Sequence, residues 1–77
     1  MDRVLRGTSD SNIEFKQLRA LLKRLGFDER IRGDHYIFTR DGVVEILNLQ
    51  PIDHNAKAYQ VKQVRRVILQ YKLGDNI

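Results

Sequence analysis

Arg32-Gly33-Asp34-His35-Tyr36-Ile37-Phe38-Thr39-Arg40-Asp41-Gly42-Val43-Val44-Glu45-Ile46-Leu47-Asn48-Leu49 decides the fold of this chain. Two glycine turns punctuate a period-two apolar pattern, which is the signature of strands joined by tight hairpins. One strand is expected from His35 to Arg40 and another from Val43 to Leu49. Asp41-Gly42 predicts a two-residue type I′ turn between them, because both central positions of that turn need positive φ. Upstream of Gly33, Phe27, Glu29 and Ile31 alternate with Asp28, Arg30 and Arg32, so a third strand ends at the glycine. The result is an antiparallel meander of three strands.

Outside this meander the period changes. Phe15, Leu18, Leu21, Leu22 and Leu25 recur at helical spacing with Lys16, Arg19, Lys23 and Arg24 toward the other side, and Gly26 follows as a C-terminal cap. Ser11 with Glu14 three residues on resembles a capping box, while the apolar pattern also allows a start two or three residues later. After Leu49, Gln50 to Ala58 contains Pro51, Asp53 and Asn55 and reads as a loop. Tyr59 to about Leu73 fits a second helix, with Val61, Val64, Val67, Ile68 and Tyr71 on one face and Gly74 closing it. Its β-branched residues lower its intrinsic propensity, so packing must stabilise it. The order helix, three strands, helix predicts an α+β domain with two helices on one face of a small antiparallel sheet. Residues 1–12 carry little pattern and read as a flexible arm, 13–73 as the folded domain and 74–77 as a tail.

A chain of 77 residues buries only about 60% of its unfolded surface and has little room for a deep cavity. Any active site is expected to be a shallow groove suited to a polymer or a protein. The chain has no cysteine, which removes disulfide and thiolate chemistry and fits a reducing cytoplasm. No apolar run approaches the ~20 residues of a membrane span. The first residues lack the apolar core of a signal peptide, so secretion is not expected. Net charge is +4, unevenly spread: from His54 to Leu73 there is no acid, against Lys57, Lys62, Arg65, Arg66 and Lys72. Such a field favours phosphates or an acidic protein.

The titratable candidate is His35, directly after Gly33-Asp34 and at the mouth of a strand. An imidazole there titrates near neutral pH and is held rigidly while staying reachable. Cutting RNA without a metal needs a base that takes the proton of a 2′-hydroxyl, so that its oxygen attacks the adjacent phosphorus in line, and cations that stabilise the phosphate. A neutral imidazole suits the first task, and Arg32, Lys57, Lys62 or Arg65 suits the second. No second histidine is placed as general acid, since His54 lies in a polar loop beside Asp53 and Asn55 and reads as solvated. Asp53, His54 and the distant acids share no metal-ligand spacing, so no metal or other cofactor is expected. Phe38 could stack on bases but reads more readily as core. Tyr36 and Tyr59 are candidates for stacking on bases.

Leu21-Leu22-Lys23-Arg24-Leu25-Gly26-Phe27, Arg32-Gly33-Asp34-His35-Tyr36-Ile37-Phe38, Asp41-Gly42 and Tyr59-Gln60-Val61-Lys62-Gln63-Val64-Arg65 together resemble the HicA toxins of bacterial toxin-antitoxin systems, which are small mRNA interferases. The resemblance spans about Ile13 to Leu73. It implies a fold like a double-stranded-RNA-binding domain, an endoribonuclease with His35 as the single catalytic histidine, Gly33 as the preceding glycine, mRNA as substrate and a HicB-like antitoxin as partner, with any higher assembly built through that antitoxin. The chain departs from the family at Asp34, where serine is the most frequent residue. A carboxylate beside the imidazole stabilises its charged form and repels phosphate, or it orients the ring. A non-catalytic RNA-binding module and a degenerate antitoxin-binding module of the same fold are the alternatives.

Overall fold

A computed structural model describes residues 13–76. The arm expected over residues 1–12 lies outside the described residues. Helix α1 spans Phe15–Arg24, strands β1 Asp28–Arg32, β2 His35–Arg40 and β3 Val43–Leu49 follow, and helix α2 spans Ala58–Gln70. A short 3-10 turn, Leu73–Asn76, comes after α2 and brings Leu73 into the core. The sheet is antiparallel in the order β1-β2-β3. Among the described residues this is an α+β arrangement of two helices and a three-stranded meander.

Helix α1 takes the later of the two expected starts, with Glu14 as its N-cap and no side-chain hydrogen bond there. It ends as anticipated at Gly26, whose φ of 91° lets Phe27 N–H reach Leu22 O and Gly26 N–H reach Lys23 O, both at 3.0 Å. These are the paired bonds of a Schellman motif. Helix α2 begins one residue before the expected Tyr59 and stops earlier than Leu73. The left-handed residue that closes it is Lys72 at φ 57°, not Gly74, and Lys72 N–H bonds Leu69 O.

Pairing alternation sorts the sheet into two faces. Glu29 opposes Phe38 and Ile31 opposes Tyr36, while Phe38 opposes Leu47 and Tyr36 opposes Leu49. Phe38, Leu47 and Leu49 on this inner face are fully buried among Leu18 and Leu22 of α1 and Val61, Val64 and Ile68 of α2. Burying such side chains is worth roughly 1.5–3 kcal/mol each. The outer face carries Arg30, Arg32, His35, Ile37, Val44, Ile46 and Asn48, of which only Ile37 is half-buried. Among the described residues, helices therefore cover one face alone.

The second hairpin departs from the sequence expectation. Gly42 has φ 87°, but Asp41 is not among the residues with positive φ, so the turn is not type I′. A turn whose first central residue has negative φ is of the type I or II kind, which splays the strands it joins. The neighbouring ladder absorbs the mismatch: Phe38 pairs with Leu47 while Arg40 pairs with Val43, leaving Val44, Glu45 and Ile46 against Thr39 alone. That is a bulge in β3. The Tyr71 hydroxyl, from just past α2, accepts from Val44 N–H at 3.3 Å and donates to Glu45 Oε1 at 2.7 Å. The same bond to a carboxylate raises the Tyr71 pKa above its ordinary value.

Candidate functional site

Gly33 and Asp34 form the two-residue connection between β1 and β2, closed by the pairing of Arg32 with His35. Gly33 sits at φ 60° while Asp34 does not, and a positive φ at the first central position alone is the type II′ pattern that glycine supplies without strain. A Cβ at Gly33 would meet nothing within 4 Å, so the glycine serves backbone conformation and not close packing. The turn delivers His35 onto the outer face with half of its side chain exposed, 50%. Arg32 stands directly across from it.

The imidazole has two polar neighbours. Its Nδ1 lies 3.1 Å from Asn48 Oδ1 on β3. A carbonyl oxygen can only accept, so Nδ1 carries the proton and the lone pair of the neutral ring is on Nε2. Nε2 faces Asp34 Oδ1 at 3.6 Å, longer than a charge-assisted hydrogen bond of about 2.7–2.9 Å. The other carboxylate oxygen of Asp34 accepts from the Gln50 side-chain amide.

Gln50 is itself anchored from α2. Gln60 is buried, 2% exposed, and with its amide turned to satisfy both ends it donates to Gln50 O at 3.1 Å and accepts from Gln50 N–H at 3.0 Å. A side-chain amide thus reproduces a strand's pairing at the end of β3. Asn48, Gln50 and Gln60 were invisible as site residues in the sequence. Gln60 alone carried a signal, a polar residue flanking the apolar face of a helix.

The remaining sequence candidates fall in two groups. Helix α2 is antiparallel to β3, because Gln60 meets Gln50 at one end and Tyr71 meets Val44 and Glu45 at the other. Lys57, its N-cap, therefore lies toward the His35 end of the sheet. Lys62 and Arg65 follow farther along α2, on the layer covering the inner face. Arg32 is the one of the four cations on the face of His35. Among the stacking candidates, Phe38 is core, Tyr36 is half-buried with the Arg19 guanidinium 4.7 Å above its ring and Phe15 edge-on at 4.9 Å, and Tyr59 is 64% exposed.

His54 lies in the loop before α2, and its carbonyl accepts the Phe15 N–H at 2.9 Å. It lines a cavity of about 300 Å³ with Phe15, Arg19, Tyr36 and Pro51. Tyr36 belongs to the inner face, so this cavity and His35 open on opposite sides of the sheet. Among the described residues, no group of three or more His, Asp or Glu could hold a metal ion, and no helix is long and apolar enough to cross a membrane.

No family model matches the chain, and no curated protein or solved structure matches it.

Proposed function

We propose that the chain is a metal-independent endoribonuclease of the HicA kind, with a fold like a double-stranded-RNA-binding domain, that cleaves mRNA using His35 as general base. The observation that carries this reading is the imidazole on the open face of the sheet, with Nδ1–H held by Asn48 and Nε2 left as the proton acceptor. Nε2 takes the proton of a ribose 2′-hydroxyl, whose oxygen attacks the adjacent phosphorus in line. The 5′-oxygen leaves, giving a 2′,3′-cyclic phosphate and a 5′-hydroxyl end. A positioned general base supplies typically 10²- to 10⁴-fold. Arg32, paired across the turn, is the nearest candidate to hold the phosphate, and Lys57 extends the positive field along the same end. Water protonates the leaving oxygen, which makes for a slow enzyme. A HicB-like antitoxin in the cytoplasm is the partner that this reading implies, covering the basic surface and stabilising a small domain by mass action.

Incubation of the purified chain with end-labelled RNA in the presence of a chelator tests the reading. Cleavage leaving cyclic phosphate ends is expected, and His35→Ala should abolish it while the circular dichroism spectrum stays the same. A folded His35→Ala variant that still cuts would remove His35 from the role. Salt-sensitive binding with no cleavage at any concentration would instead support an RNA-binding module.

One contact favours a second reading. Asp34 Oδ1 faces the nitrogen that must act as base, as expected of a degenerate toxin kept for antitoxin binding. A silent protein that gains cleavage on Asp34→Ser would identify that state.

A further inference from the structure

We propose that Gln50 is a positioning residue for His35: its side-chain amide restrains the Asp34 carboxylate, so that Nε2 stays open to a ribose hydroxyl. This deepens the ribonuclease reading and rests on it. Three observations meet at this point. The Gln50 amide donates to Asp34 Oδ2. The second oxygen, Oδ1, stops 3.6 Å from Nε2, beyond the about 2.7–2.9 Å at which a carboxylate closes on an imidazolium. The Gln50 backbone is fixed at the base of this contact, because the buried Gln60 amide, turned to satisfy both ends, pairs with its N–H and its carbonyl.

The chemical consequence follows from what an unrestrained carboxylate does. The Asp34 side chain is 68% exposed and sits one residue from the ring, with Arg32 as the other charged group at the turn. Freed from Gln50, it swings onto Nε2 and clamps a proton there, leaving an imidazolium bridged between Asn48 and Asp34. A clamped imidazolium cannot accept the 2′-hydroxyl proton. Held by Gln50, the carboxylate keeps its 3.6 Å distance and leaves the lone pair of the neutral ring unclamped. The restraint offsets the presence of an acid where the resembling family most often has serine. Both ring nitrogens are then governed from one short stretch at the end of β3 and just past it, by Asn48 directly and by Gln50 through Asp34.

The test uses the full chain and four proteins: wild type, Gln50→Ala, Asp34→Ser and the double variant, with Gln50→Leu as a second removal of the amide. Steady-state cleavage and ¹⁵N imidazole spectra at pH 7 are recorded for each. Gln50→Ala should lower kcat about tenfold, one decade of what a general base supplies, with KM within about twofold. Its His35 nitrogen signals should move toward the doubly protonated pattern. In the Asp34→Ser background the same substitution should change neither readout, because its effect passes through Asp34. Unchanged kcat and unchanged His35 signals in both Gln50 variants would overturn the proposal, as would an equal loss with and without Asp34. If wild type cleaves nothing, the ribonuclease reading fails by itself. The nitrogen signals then decide the restraint alone, standing if Gln50→Ala moves them and falling if it does not.

Discussion

Glu29 and Asp34 sit five residues apart, yet the sheet turns them to opposite fates. On the inner face, the Glu29 carboxylate is 8% exposed and receives Arg19 Nε at 2.7 Å and Lys23 Nζ at 3.0 Å, with a second Arg19 bond at 2.9 Å. At the outer turn, Asp34 and His35 stand 3.6 Å apart, with half or more of each side chain solvated. The Arg19 guanidinium, above all, holds the Glu29 carboxyl down at about 2. The contrast teaches what burial does to a charged group. Desolvated and fully paired, it locks a helix to a strand; solvated and loosely paired, it stays open to solvent and to a ligand.

Substitutions graded across the two faces can break this contrast. The largest effect is expected from Phe38→Ala, at the buried centre of the inner face, where a phenylalanine-to-alanine cavity costs about 3–5 kcal/mol. Domains of this kind hold roughly 5–15 kcal/mol in all, so urea or thermal melts should show a domain at the edge of unfolding. A Phe38→Ala protein with wild-type stability would mean that the inner face is not the core.

Glu29→Gln ranks second. A carboxyl lowered from 4.5 to about 2 contributes stability that is fully present above about pH 4.5 and is lost as pH falls toward 2. That contribution is on the order of 3 kcal/mol at neutral pH. Wild type should therefore lose stability steeply between pH 4.5 and 2, and Glu29→Gln should start lower and lack that part of the slope. Equal slopes in chemical melts across the window would show the pair to be energetically idle.

Gly33→Ala sharpens the comparison from the turn. Nothing crowds a Cβ there, so only backbone strain opposes it, about 1–2 kcal/mol for a residue forced to left-handed φ. The cost should be visible in melts, and the displaced turn should also lower RNA cleavage. His35→Ala is expected to have the smallest effect on folding, within about 0.5 kcal/mol as for an exposed surface position, while removing cleavage altogether. A large stability loss on His35→Ala would erase the distinction between the faces.

Much of the fold could be read from local punctuation. Gly26 and Gly33 mark the ends of α1 and β1 because each needs positive φ, and β3 follows the period-two pattern expected of it, whereas Ile31 on β1 stays half exposed. What escaped depends on residues far apart in sequence. The end of α2 moved from Gly74 to Lys72, since packing of Leu73 rather than glycine chemistry sets where the helix stops. The type of the Asp41-Gly42 turn was misjudged because the dipeptide does not report the bulge next to it. At the site, Gly33, Asp34 and His35 are contiguous and stood out, whereas Asn48, Gln50 and Gln60 reach them across separations of 13, 16 and, through Gln50, another ten residues. Lys62 and Arg65 drew attention by charge alone. Charge carries no information about which layer of a sandwich a helix occupies.

The kink in β3 and its tyrosine also bear on how copies of this protein meet in concentrated solution. Val43-Val44-Glu45-Ile46-Leu47 is rich in β-branched and aliphatic residues and runs along an unshielded border of the sheet, the sort of segment that recruits further strands into aggregates. Its bulge bends the border out of line, and Tyr71 consumes the Val44 N–H that an incoming strand would need. The opposite border, β1, is defended differently, by the exposed charges of Asp28, Arg30 and Arg32. One border is thus kept from self-association by shape and the other by charge, so salt should unmask β1 while Tyr71→Phe should unmask β3.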